Sequence, residues 1–202
     1  MRVLVSGFEP FLDEKVNPTQ EIAHYLNSCA AHDRKGWENL DVRAVVLPVL
    51  FEKAFERLED ERKLFKPDVI LSFGLAGGRE TFDIEQVAIN YRGGGQTVRG
   101  DNAGVSSEGK IEEFAPLSLS TSLPTEDLLK ELSRAGIPAK MSFTAGTYVC
   151  NELFFKLQDR LRFTRVRSGF IHVPRMTDDV GPWPWARFEI AIQAILRAVA
   201  QA

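Results

Sequence analysis

Short apolar runs alternate with helix-period patterns along this chain. Val3-Leu4-Val5, closed by Ser6-Gly7, predicts a first strand, and Phe8-Glu9-Pro10-Phe11 makes an aromatic-rich loop after it. Asn17-Pro18-Thr19-Gln20 carries the marks of a helix start: a capping side chain, proline at the first helical position and Gln three residues after the cap. Ile22, Leu26 and Cys29 then recur at helical spacing, which gives Cys29 a structural place on a buried face. His24 and His32 lie among polar neighbours and are expected at the surface. Val42 to Leu47 predicts a second strand; Phe51, Ala54, Phe55 and Leu58 mark a second helix, ending before Pro67. The near-continuous apolar run from Val69 to Phe73 is the pattern of a strand covered on both faces.

The turn Gly74-Leu75-Ala76-Gly77-Gly78-Arg79 follows, and Ile84 to Asn90 resumes strand character with Glu85 embedded in it. Spacing alone would leave Glu85 facing solvent. Residues 91–123 lack strong periodicity and are rich in glycine, as in a functional flap or a flexible loop. Thr125 is the expected cap of a helix carrying Leu128, Leu129, Leu132 and Ala135, stopped by Gly136 and Pro138. A strand from Ala139 to Phe143 leads to the turn Ala145 to Asn151 and a helix over Glu152 to Leu161. Gly169 to Pro174 reads as a short apolar strand, and a loop with Trp183 and Trp185 precedes a last helix with Phe188, Ile192, Ile195, Leu196 and Val199 on one face. This alternation predicts an α/β protein: a single-domain three-layer α/β/α architecture over residues 1–202, with a mainly parallel, twisted central sheet. No repeat or linker interrupts it.

Composition narrows the function classes. With 44% hydrophobic and 26% charged residues, the chain has the make-up of a soluble globular protein. A formal net charge of −3 with no basic block gives no footprint for nucleic acid. The apolar amino-terminal run is too short for a signal segment, and no stretch has the length of a membrane span. Two cysteines do not make a disulfide framework, so a reducing cytoplasm is the expected location. No His/Cys cluster has metal-ligand spacing, and neither a metal nor an organic cofactor is expected.

Cys150 is the candidate nucleophile. It sits at a strand-to-helix turn, where free amides and the positive end of the helix dipole can stabilise a thiolate. Residue type alone points the other way, since most lone cysteines are small buried apolar side chains. His172 is the only histidine near a predicted strand end, and Glu85 is the best-placed acid near another. In an open α/β sheet, reactive groups gather at the carboxyl ends of strands. A thiol needs a base and the base needs an orienting acceptor, so the three form a Cys-His-Glu proposal.

At these residues the chain resembles the type I pyroglutamyl peptidases. The resemblance runs nearly the whole length, through Gly7 to Phe11, Asn17-Pro18-Thr19, Gly74 to Arg79, Glu85 to Asn90, Asp101-Asn102, Thr144 to Asn151, and Gly169 to Pro174, in that order. It implies a cysteine peptidase that removes an amino-terminal pyroglutamyl residue from peptides, with Cys150 as nucleophile, His172 as base and Glu85 as orienting acid. It further implies an apolar pocket for the lactam ring, walled by Phe8, Phe11, Tyr148 and Val149, and a homo-oligomer, commonly a tetramer.

Three positions depart from the family pattern. Leu75 stands where the family has Gln, which would change what the pocket offers the ring. Thr97 to Asn102, after an insertion containing Gly93 to Gly95, leaves Arg99 as the displaced counterpart of a family Arg. Phe11-Leu12-Asp13 replaces Phe-Gly-Gly. These departures keep two alternatives in view: a thiol hydrolase of the same fold acting on another small cyclic or amide substrate, and a non-enzymatic binding relative.

Overall fold

Strand β1 (Arg2–Phe8) has a neighbour on each side in the central sheet, and from Val3 to Phe8 every residue is buried. The computed structural model describes residues 1–11, 14–93 and 100–201. The strands that join β1 in the central sheet are β2 (Asp41–Leu47), β3 (Val69–Leu75), β4 (Phe82–Glu85), β7 (Ala139–Ser142) and β8 (Arg167–Val173). Among the described residues, this six-stranded sheet has the order β2-β1-β3-β8-β4-β7. Two short strands, β5 (Val87–Ile89) and β6 (Ser118–Ser120), pair antiparallel in a separate ribbon.

The sheet is mainly parallel, as the alternation of elements predicts, with one reversal. β1 pairs parallel with β2 and β3, β3 with β8, and β4 with β7, but β4 runs antiparallel to β8. Helices cover both faces. Val3, Val5, Leu71 and Ile171 pack with residues of α1 (Pro18–Ser28), α3 (Thr125–Arg134) and α5 (Trp185–Gln201). Leu4, Ile70 and Phe170 pack on the other side with α2 (Lys53–Phe65) and α4 (Val149–Leu161). Alternation along each strand divides its residues between these two cores.

Most local signals act as the sequence predicts. Asn17 caps α1, its Oδ1 accepting from the Thr19 amide at 3.0 Å, with Pro18 as first helical residue. Cys29 is buried at the end of that helix, and His24 and His32 are exposed. Four expectations need correction. Thr125 is the first residue of α3 and not its cap; Pro124 holds the cap position and supplies no side-chain bond, while the Thr125 hydroxyl lies 3.3 Å from Gln86 Oε1. Ile84 to Asn90 is not one strand but parts of β4 and β5 in different sheets, separated at Gln86, whose amide bonds the Ser142 carbonyl at 2.7 Å. Leu75 closes β3 instead of lying in the turn after it, and α4 starts at Val149 instead of Glu152. The last change puts Cys150 inside the first helical turn.

Candidate active site

Cys150 is the second residue of α4, where the leading amides of a helix have no intrahelical carbonyl to bond. The next residue fixes that helix end. Asn151 is fully buried; its Oδ1 accepts from the Ile89 amide at 3.0 Å and its Nδ2 donates to the Ile89 and Tyr91 carbonyls at 2.9 Å each. A carboxamide paired with backbone in this way substitutes for a neighbouring strand and pins the first turn of α4 to β5.

His172 and Glu85 are both buried and meet through a 2.7 Å bond between His172 Nδ1 and Glu85 Oε1. An ionised carboxylate accepts, so Nδ1 carries the hydrogen and Nε2 is the nitrogen with a lone pair. The route by which Glu85 arrives differs from expectation. It does not come from the carboxyl end of a strand parallel to β8. β4 is antiparallel, with Asp83 paired to His172 and Ile84 to Ile171, so Glu85 lies two residues further back along β8, level with Phe170. Side chains two residues apart share a face, and the diagonal is within reach of a long side chain. Solvent does not reach Glu85, contrary to what spacing alone suggests.

Cys150 comes to the same place from the helix layer. Gly74 is the register partner of His172 across the β3–β8 pair, and a Cβ placed on Gly74 would lie 3.0 Å from Cys150 Sγ. The structure therefore brings Cys150, His172 and Glu85 together on the face of the sheet covered by α4. Beside the sulfur lies a narrow, mainly apolar cleft lined by Phe8, Phe11, Asn17, Val49, Leu75, Tyr148, Val149 and Cys150. All five residues expected to line a pocket are there. Val49 and Asn17 were not foreseen. Asn17 is engaged as a cap and by donation to the Glu9 carbonyl at 3.0 Å.

A model of the pyroglutamyl peptidase family matches residues 1–202. The chain belongs to this family. It is 38% identical over 175 residues to a pyrrolidone-carboxylate peptidase of Saccharolobus islandicus, covering 86% of this chain and 79% of the relative. It is 37% identical over 185 residues to one from Thermococcus litoralis, covering 89% and 79%. Pyroglutamyl peptidase I of Bacillus amyloliquefaciens superposes with a TM-score of 0.87 at 32% identity, over 100% of this chain and 97% of that one. A mutant pyrrolidone carboxyl peptidase from P. furiosus gives 0.84 at 34%, over 100% and 98%.

Within this family member, the electrostatics at sulfur run against the thiolate expected from the helix end. Burial pushes the Cys150 thiol up to about 12, and the Glu85 charge adds to the effect. Arg79 and the amide of Cys150 itself pull the other way but do not win. Cys150 is half-buried, and the protein packed around its sulfur disfavours the anion more than one amide and one shared guanidinium favour it. Cys150 thus rests protonated.

Sequence reasoning missed Arg79 as a working residue, although it closes the Gly74 to Arg79 motif. Its Nη1 lies 2.6 Å from Asp83 Oδ2 and 2.8 Å from Glu85 Oε1. Nothing in residue spacing links an arginine in one turn to acids on a strand of unknown direction. A second missed cluster joins Arg92 to Glu152 at 2.7 Å and to Glu52 at 2.6 Å, tying the chain after β5 to α4 and the start of α2. Arg99, Leu12, Asp13, Gly94 and Gly95, which carry the family departures, lie outside the described residues. Among the described residues, no group of three or more His, Cys, Asp or Glu side chains is arranged to hold a metal ion, and no helix is long and apolar enough to cross a membrane.

Proposed function

We propose that this chain is a cysteine peptidase that hydrolyses the amide bond after an amino-terminal pyroglutamyl residue, acting as a single catalytic domain over residues 1–202. The observation that carries this reading is the buried His172–Glu85 pair beside Cys150, at the edge of an apolar cleft walled by Phe8, Phe11 and Tyr148. Family membership across the whole chain favours it over a hydrolase of some other ring and over a binding-only relative.

His172 Nε2 takes the proton from Cys150 Sγ as sulfur bonds the pyroglutamyl carbonyl carbon. The oxyanion is held by free amides of the first turn of α4, that of Cys150 included. The tetrahedral intermediate collapses, the carbon–nitrogen bond breaks, and the amine leaves with the proton from His172. Water, deprotonated by His172, then attacks the thioester; pyroglutamate leaves and the proton returns to sulfur. Glu85 accepts from Nδ1–H throughout and stabilises the imidazolium. Phe8, Phe11, Leu75, Tyr148 and Val149 enclose the flat, uncharged ring, where aromatic walls contribute most.

A cytoplasmic location fits two cysteines that are both unpaired. A homo-oligomer fits the exposure of Phe114, Leu117, Phe143 and Phe163, and light scattering of the purified chain tests it. The activity itself is tested by release of 7-amino-4-methylcoumarin from its pyroglutamyl amide. Wild type is expected to turn over, and Cys150→Ala and Cys150→Ser to be inactive. Turnover that persists in Cys150→Ala would sink the assignment.

A further inference from the structure

Arg79 is bonded to both halves of the site at once. From the turn after β3, where its amide bonds the Ala76 carbonyl at 2.9 Å, it reaches across to β4 and β7. Nη1 donates to Asp83 Oδ2 at 2.6 Å, Glu85 Oε1 at 2.8 Å and Ser142 Oγ at 3.1 Å. Nη2 donates to the Thr144 carbonyl at 2.8 Å. Thr144 lies in the loop between β7 and α4, which leads to Cys150. Glu85 Oε1 is therefore shared between Arg79 and His172 Nδ1, whereas Oε2 is buried with no hydrogen-bond partner among the described residues. Every polar contact of this carboxylate that the structure shows goes through one oxygen, and a guanidinium holds that oxygen in place.

A buried carboxylate needs a cation to stay ionised, and a planar fork that reaches a carboxylate with one arm and a carbonyl with the other also fixes their separation. We propose that Arg79 is a positioning residue for the reaction, joining the acid that orients His172 to the loop that delivers Cys150. This inference rests on the peptidase reading above. Besides Arg79, Glu85 bears on the Cys150 sulfur, and His172 is the register partner of Gly74, beside which that sulfur lies; Asp83, with Lys140 Nζ 3.8 Å from it, bears on Arg79 from β4 and β7. Glu85 disfavours the thiolate and Arg79 favours it, so the guanidinium offsets at sulfur the field of the carboxylate it supports.

The test compares Arg79→Gln and Arg79→Lys with wild type in two assays: hydrolysis of the pyroglutamyl coumarin amide, and iodoacetamide alkylation of Cys150 followed by peptide mass. For Arg79→Gln, kcat is expected to fall about 100-fold with KM within about threefold, the pattern of misaligned reacting groups and not of lost binding. Its alkylation at pH 9 is expected to slow about tenfold, which a merely structural residue would not produce. Lysine keeps the charge but cannot span both partners, so Arg79→Lys should retain the thermal midpoint while losing roughly tenfold in kcat. Wild-type kcat and alkylation in folded Arg79→Gln, or a loss confined to KM, overturns the proposal. Should Arg79→Gln not fold, Arg79→Lys decides: reduced kcat supports the role and wild-type kcat ends it. If wild type itself shows no turnover, the peptidase reading fails, and the alkylation comparison still judges Arg79.

Discussion

Gly74 and His172 are register partners across β3 and β8, and the hydrogen in place of a side chain on Gly74 is what admits the sulfur of Cys150 beside them. A Cβ there would meet Phe170 Cζ at 2.7 Å and Cε1 at 2.8 Å as well as Sγ at 3.0 Å. Phe170 is fully buried and packs against Phe8, Phe154 and His172, so it has little room to yield.

Gly74→Ala is accordingly expected to do double damage. Overpacking should lower stability by about 1–3 kcal/mol. Displacement of the thiol or the imidazole should cost about 100-fold in kcat. Thermal denaturation and the coumarin assay on the same preparation separate the two. Full activity in a stable variant would mean that the sulfur does not depend on this gap.

Glu85→Gln keeps the shape of the side chain but no longer favours the tautomer with hydrogen on Nδ1. A fall in kcat of about 10²–10⁴-fold with little change in KM is expected. NMR of the His172 ring nitrogens should show mixed tautomers in the variant and a single Nδ1–H form in wild type.

The thiol at position 150 makes stability depend on alkaline pH. Its folded value, about 12, lies above the ordinary 9.0. Between those values the unfolded chain has lost a proton that the folded chain keeps. This contribution to stability is therefore fully present below pH 9 and lost as pH rises toward 12, at roughly 1 kcal/mol per pH unit. Urea unfolding of wild type and Cys150→Ser at pH 8, 9 and 10 should show a gap that narrows only above pH 9. A pH-independent gap would contradict the raised value.

Phe11 faces Tyr148 across the cavity wall, with ring centroids 6.4 Å apart. Phe11→Ala removes one wall of the ring site without touching Cys150 or His172. KM for the pyroglutamyl amide should rise by about tenfold while kcat changes less, since most of what is lost is contact with a neutral ring. A variant with unaltered KM would place the ring elsewhere.

Much of this protein is determined by sequence alone. The apolar runs at Val3 to Val5 and Val69 to Phe73, the capped helix at Asn17, and the alternation of strand and helix specify an α/β fold, because each signal acts within a few residues of chain. Residue type and strand-end placement pointed to Cys150, His172 and Glu85; the resemblance agreed on these three and added Phe8, Phe11, Leu75, Tyr148 and Val149 for the pocket. Tertiary structure decided what depends on distant pairings. β4 runs against β8, so Glu85, the last residue of β4, reaches His172 on a diagonal. Arg79 finds Glu85 and Thr144 across separate turns of the chain. The electrostatics at Cys150 also reversed sign: a helix end favours a thiolate locally, but burial and the Glu85 charge, both products of packing, keep the sulfur protonated until His172 takes the proton.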